Sequence, residues 1–167
     1  MQPAAATITS IGLGEMSVVQ RSDGLLVARG LGSCIGIAVY EPRVRIALLA
    51  HVMLPGPAPA QVPDDQPARF ADQAVRSLID SMGKLGGRVR DCVIKLAGGA
   101  QVIRLGNRED RLQVGRRNIE AVLQALEANG LRSVAQDVGG NMGRTMTLYA
   151  ATGVTTVRLV GGQEKAL

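Results

Sequence analysis

The chain is built mainly of short apolar runs of strand length, and only two stretches carry the i, i+3, i+4 spacing of a helix. Thr7–Leu13 and Met16–Val19 read as strand pieces broken by Gly12 and Gly14, and Leu25–Ala28 as a short strand after the Ser22-Asp23-Gly24 turn. Two stronger runs, Cys34–Tyr40 and Arg45–Leu54, flank Glu41-Pro42-Arg43-Val44. Proline favours position i+1 of a tight turn, so the pair reads as a hairpin. Pro55–Pro67 has no periodicity and reads as a surface flap or binding loop. A first helix then follows, capped by Asp64 or Asp65 with Pro67 in its first turn. Its apolar face is Phe70, Ala74, Leu78, Met82 and Leu85, and Gly86-Gly87 ends it.

Val89–Ala97 is a strand with Cys92, Ile94 and Leu96 on one side, closing at Gly98-Gly99. The mixed-charge stretch Arg104–Arg111 leads into a second helix over Val114–Asn129, with Ile119, Val122, Leu123 and Leu126 as its stripe and Gly130 as its stop. Ser133–Val138 is a strand ending at Gly139-Gly140-Asn141, and Thr145–Ala150 and Val154–Val160 form a last hairpin through Thr152-Gly153. With no repeat and no linker, the pattern predicts one α/β domain over residues 1–167, with residues 1–6 a flexible tail. It is a layered sandwich of largely antiparallel or mixed sheets with two main helices.

Composition sharpens this picture. Hydrophobic content of 46% and charged content of 20% are those of a soluble globular protein. One Phe, two Tyr and no Trp leave the core to aliphatic side chains. The net charge of +5 is scattered, and with few aromatics to stack bases it suits an acidic protein partner better than nucleic acid. No basic-then-apolar leader opens the sequence, and Ile46–Leu54 is far short of the roughly 20 residues that span a bilayer. A cytoplasmic protein without membrane insertion is expected. Two cysteines and one histidine are too few for a disulfide framework or a zinc cluster. No metal or cofactor is called for.

The candidate chemistry lies in the hairpin. If its turn is symmetric about the Pro42–Arg43 bond, Cys34 falls opposite His51, the only histidine. Opposed side chains of an antiparallel pair have Cβ atoms roughly 4.5–5.5 Å apart, which brings a thiol within reach of an imidazole. A thiol beside a base is a nucleophile, and the Gly30-Leu31-Gly32 approach lets backbone amides, those of Gly32 and Ser33 first, serve as an oxyanion hole. The bland reading of Cys34 is a small buried strand residue, and that of His51 a satisfied core histidine. Ser33 is a rival nucleophile, but strand alternation turns it away from His51. Cys92 sits among aliphatics and reads as core. Gly30-x-Gly32 is not a dinucleotide fingerprint, because Gly36 comes one residue late. Gly98-Gly99 and Gly139-Gly140 are either strand-end turns or part of the site.

GLGSCIGIAVYEP followed by LAHVMLP resembles the signature of the chemoreceptor glutamine deamidase family CheD. The likeness continues through KLAGGA (Lys95–Ala100), VGRRNIEAV (Val114–Val122) and DVGGNMGRTM (Asp137–Met146). The resemblance implies an α/β sandwich related to bacterial deamidating toxins. It also implies a nucleophilic Cys34, a catalytic His51, and hydrolysis of glutamine side-chain amides on methyl-accepting chemoreceptors. Glutamyl methyl-ester cleavage and binding of the phosphatase CheC are further family expectations. A threonine six positions before the cysteine is met here by Ala28. That leaves His51 to be oriented by another group, such as a backbone carbonyl, or lowers activity, in which case Ala28→Thr raises turnover. The competing expectation is a weakly catalytic or non-catalytic binding module for a CheC-like partner. A cysteine protease fits less well, since no peptide-cleft motif is present.

Overall fold

In chain order, the computed structural model has strands β1 (Ile8–Ile11), β2 (Met16–Gln20), β3 (Leu25–Leu31), β4 (Ile35–Glu41) and β5 (Ile46–Val52) before helix α1 (Ala71–Lys84). Strand β6 (Val93–Gly98) leads to helix α2 (Val114–Ala128), and β7 (Ala135–Val138), β8 (Arg144–Tyr149), β9 (Thr155–Leu159) and β10 (Glu164–Ala166) complete the chain. The structure describes residues 6–102 and 113–167, so the Arg104–Arg111 stretch and residues 1–5 of the expected tail lie outside the described residues. Among those described, no helix is long and apolar enough to cross a membrane.

Strands β4 and β5 are buried along their whole length, which demands a layer on each side. The strands form two five-stranded sheets, ordered β1-β3-β8-β9-β10 and β2-β5-β4-β6-β7. Pairing is antiparallel except for β1–β3 and β6–β7, which are parallel. On one face of the second sheet, Ile35, Ile37, Val39, Ile46, Leu48, Val52, Ile94 and Leu96 meet α1 and α2. On the other, Ala38, Ala47, Leu49 and Ala97 meet Leu26, Ala28, Leu31, Met146 and Leu148 of the first sheet. The small residues let the two sheets approach closely. A Cβ placed on Gly36 would lie 2.8 Å from the Met146 sulfur. The layers are therefore helices, sheet, sheet, as the alternating pattern predicts.

Several elements differ from the sequence expectation, β3 among them, which runs to Leu31 and not Ala28. Helix α1 starts after Phe70, not at Asp64 or Asp65, because Arg69 and Phe70 are pinned alongside Leu54. The Met53 and Leu54 amides both donate to the Arg69 carbonyl, and the Ala71 amide donates back to Leu54. Cys92 precedes β6 at the end of a single 3-10 turn (Val89–Asp91), half-buried against the helix-side core. The β10 edge strand, Glu164–Ala166, carries no apolar run that would announce it.

Helix α2 docks through its glycine. A Cβ on Gly115 would sit 2.6 Å from the Gly99 carbonyl oxygen and 2.7 Å from that of Ala100. Alanine for glycine ordinarily adds up to about 1 kcal/mol of helix stability, while overpacking against fixed backbone costs about 1–3 kcal/mol. Gly115→Ala is therefore expected to lower the melting temperature. Gly83→Ala in α1, where nothing lies within 4 Å of the added methyl, is expected to raise it. Thermal unfolding of the two variants side by side checks the sign of each shift.

Candidate active site

The hairpin loop is two residues longer than its sequence suggests. Glu41 pairs with Ile46, so Pro42–Arg45 forms the connection, with Arg45 at φ 54° and the Val44 amide donating to the Glu41 carboxylate at 2.8 Å. Tight symmetry about Pro42–Arg43 would have closed the ladder at Val44. The register consequently places Gly36, not Cys34, opposite His51. A shift of two residues conserves the face. Cys34, two residues before Gly36, remains on the side of the sheet that His51 occupies, and packs against the inter-sheet core. The pair is diagonal rather than direct, the geometry in which Cα atoms lie roughly 7–8 Å apart and larger side chains still meet.

His51 is 1% exposed and is held by the corner between β1 and β2. Its amide donates to the Glu15 carbonyl at 2.9 Å, and its carbonyl accepts from the Gly14 amide at 2.9 Å. Its ring Nδ1 lies 3.2 Å from the Ile11 carbonyl oxygen. A carbonyl can only accept, so Nδ1 carries the hydrogen and Nε2 presents its lone pair. That Nε2 is buried and has no hydrogen-bond partner among the described residues. A satisfied core histidine would have both nitrogens engaged, and leaving one unmet costs about 1–3 kcal/mol.

The segment before β4 is fixed from the opposite side. The Cys34 carbonyl accepts from the Gly99 amide at 2.8 Å, and the Gly32 carbonyl from the Ala100 amide at 2.7 Å. Gly98, at φ 118°, lies so close to this segment that a Cβ there would fall 2.0 Å from the Cys34 carbonyl oxygen. Only glycine fits, which gives the Gly98-Gly99 pair its place beside the cysteine. The Gly139 amide in turn donates to Gly98, and buried Arg144 ties Asp137 and the carbonyls of Gly139 and Met142 together. The Gly32 amide donates to the Gly30 carbonyl at 2.9 Å and is thereby occupied. The Ser33 and Cys34 amides have no hydrogen-bond partner among the described residues. Ser33 also offers its carbonyl, which accepts from Asn118 of α2 at 2.9 Å.

Burial keeps both candidate groups uncharged near neutral pH. Desolvation pushes the Cys34 thiol above its ordinary 9.0. Desolvation also lowers His51 below its ordinary 6.5, opposed by the Ile11 hydrogen bond and the Glu15 carboxylate. Cys92 is pushed up to about 12 by burial and by the Glu41 and Asp91 carboxylates, and so is inert as a nucleophile.

Residues 53–159 match the family described as CheD chemotactic sensory transduction. The chain is 39% identical over 160 residues to a probable chemoreceptor glutamine deamidase CheD of Symbiobacterium thermophilum, covering 96% of this chain and 97% of that one. It is 36% identical over 155 residues to the chemoreceptor glutamine deamidase CheD of Thermotoga maritima, covering 93% and 94%. A third relative, a probable chemoreceptor glutamine deamidase CheD of Geobacter metallireducens, is 40% identical over 151 residues, covering 90% and 93%. The chain belongs to the CheD family.

In this CheD chain, Ala28 is fully buried and is the register partner of Ile11, the residue whose carbonyl faces the His51 ring. The backbone acceptor thus stands beside the place where the resemblance puts a threonine. Sequence reasoning missed Ile11, because a carbonyl acceptor leaves no side-chain signal. It missed Asn118 because that polar residue falls within an apolar helix stripe.

These placements set the reactivity of the thiol. In a Cys92→Ala background, iodoacetamide alkylation of Cys34 is expected to rise with pH to a midpoint above 9.0. At neutral pH it should be several-fold faster than in His51→Ala, since a positioned base contributes at least one hydrogen bond's worth of rate, roughly several-fold. Mass-spectrometric rates across pH 6–10, a range chosen to bracket both ordinary values, are the check. Equal rates with and without the imidazole would remove His51 from the chemistry.

Proposed function

We propose that this protein is a protein-glutamine deamidase that acts on the cytoplasmic part of methyl-accepting chemoreceptors, using Cys34 as nucleophile and His51 as general base and acid. The observation that carries the reading is the buried His51 ring, fixed through Nδ1 with Nε2 unpartnered among the described residues, on the face that Cys34 shares. The names of the relatives, chemoreceptor glutamine deamidases spanning nearly the whole chain, supply the substrate class.

The steps follow from the charges. With thiol and imidazole both neutral, Nε2 takes the Cys34 proton as sulfur attacks the glutamine Cδ, so no isolated buried thiolate forms. The amide oxygen gains negative charge and is met by the Ser33 and Cys34 amides, which takes the place of the Gly32–Ser33 pair expected from sequence. His51 returns the proton to the departing nitrogen, the C–N bond breaks, and ammonia leaves a thioester on Cys34. Water deprotonated by His51 then attacks the same carbon, the C–S bond breaks, and glutamate and the free thiol are released. Ala28 need not orient the ring, because the Ile11 carbonyl already does.

Co-expression with a receptor cytoplasmic fragment tests this by mass spectrometry, each converted site gaining roughly 1 Da as NH₂ becomes OH. Cys34→Ala is expected to abolish conversion, His51→Ala to slow it by about 10²–10⁴, and Cys92→Ala to leave it nearly unchanged. The acid limb of kcat/KM should fall below the ordinary histidine value of 6.5, because burial lowers the base that must stay unprotonated. Ala28→Thr is expected to leave turnover unchanged or lower it, contrary to the expectation from sequence, since the hydroxyl enters a site that is 0% exposed and already has its acceptor. Inertness of wild type towards every receptor fragment, together with tight binding to a CheC-like phosphatase, would instead establish a regulatory binding module.

A further inference from the structure

Asn118 is the one polar residue in the buried stripe of α2, alongside Gly115, Val122 and Leu126, and it is 0% exposed. Its Nδ2 donates to the Ser33 carbonyl at 2.9 Å and to the Met53 carbonyl at 2.9 Å. Ser33 immediately precedes Cys34, and Met53 follows His51 by two residues. The ladder between β4 and β5 ends at Ile35–Val52, so both carbonyls lie just beyond its last pair. Strand ends of this kind open most readily. One nitrogen holding both carbonyls fixes the distance between the two chains where the ladder no longer does.

The same end of α2 holds the Cys34 segment a second time. Gly115 lies against the Gly99 and Ala100 carbonyls, Ile119 packs on Gly99, and the Gly99 amide donates to Cys34. Asn118 itself is poorly suited to a packing role. Its Oδ1 is buried with no hydrogen-bond partner among the described residues, so half of the amide's capacity is unmet. If this position served packing alone, an apolar side chain would fill it without that penalty. The two donors are what the amide contributes.

We propose that Asn118 is a positioning residue that sets the approach of Cys34 to His51 by clamping the open end of their hairpin from the helix side. The proposal rests on the Cys34–His51 reading above. It does not require Asn118 to touch substrate.

The test compares Asn118→Ala and Asn118→Asp with Leu126→Ala, all in a Cys92→Ala background. Asn118→Asp keeps the side-chain volume and replaces the NH₂ that serves both carbonyls with an acceptor oxygen, or with a single O–H when the buried carboxyl is protonated, so that at most one of the two carbonyls is served; it carries the test if the alanine variant does not fold. Leu126→Ala weakens the docking of the same helix two turns away but keeps the donors. For deamidation of a receptor fragment, both Asn118 variants are expected to lose roughly ten- to a hundredfold in kcat with little change in KM, the signature of misplaced reacting groups. Their alkylation profile against pH should collapse towards that of His51→Ala. Leu126→Ala should keep the wild-type profile and lose only thermal stability. A lowered melting temperature with unchanged kcat and alkylation profile in the Asn118 variants would overturn the clamp, as would an equal change in Leu126→Ala. Should wild type deamidate no receptor fragment, the functional reading fails while the alkylation profiles still decide the clamp. A wild-type profile identical to that of His51→Ala overturns the pairing on which the clamp depends.

Discussion

A buried imidazole held through its Nδ1 by the Ile11 carbonyl governs this structure. Placed at 1% exposure between two sheets, His51 must find an acceptor for its one ring hydrogen or unfold its surroundings. The Ile11 carbonyl supplies it, and that choice has consequences along the chain. Strand β1 must run parallel to β3 with Ile11 beside Ala28, and the corner through Gly14 and Glu15 must close on the His51 backbone. Two sheets are thus joined at the residue that carries the proposed chemistry. A side chain in the role of acceptor would add rotamers of its own. A carbonyl in a ladder has almost none, so the ring is oriented at little entropic cost.

The other half of the site is held by different means. Cys34 stands at the start of β4, beyond the end of the ladder with β5, where sheet pairing alone would leave it loose. Glycines bring the neighbouring chain close enough to bond it: Gly98 has no room for a side chain, and Gly99 donates to the Cys34 carbonyl. Helix α2 seals this corner through Gly115 and Asn118. The proposed nucleophile is therefore positioned from the helix layer and the proposed base from the first sheet, through Ile11. This division explains why the motif-bearing segments, distant in sequence, converge on one corner of the fold.

Much of this was legible in the sequence, and the reasons for the rest are physical. Period-two alternation identified the face shared by Cys34 and His51 even though the turn was placed two residues short, because an even slip keeps parity. The true loop depends on Glu41 capping Val44 and on Arg45 accepting a left-handed conformation, neither of which is a compositional signal. Pro67 and the two aspartates promised an earlier start to α1. Tertiary pairing of Arg69 and Phe70 with Leu54 overrode that local preference. Apolar periodicity found the stripe of α2 but passed over Asn118, since a pattern of hydrophobicity is blind to a buried amide. Backbone partners such as Ile11 lie beyond any reading of side chains.

The protonation states close the argument. A thiol above 9.0 and an imidazole below 6.5 cannot form a stable ion pair in the free protein, because each would have to be charged in a place that penalises charge. Enzymes that keep a standing thiolate rely on a compensating positive charge. Among the described residues no such charge acts on Cys34, and the Glu15 carboxylate is the smallest of the influences on the imidazole. In the proposed mechanism, reactivity is consequently conditional. The proton moves only as the glutamine carbon accepts the sulfur electrons and the oxyanion finds the amide donors, so the charge separation is created and neutralised within one step. For an enzyme that modifies another protein this is a useful restraint. On the proposed mechanism the thiol stays a weak nucleophile towards small electrophiles until a side-chain amide is placed against Ser33 and Cys34, and specificity would follow from which glutamines can reach that corner.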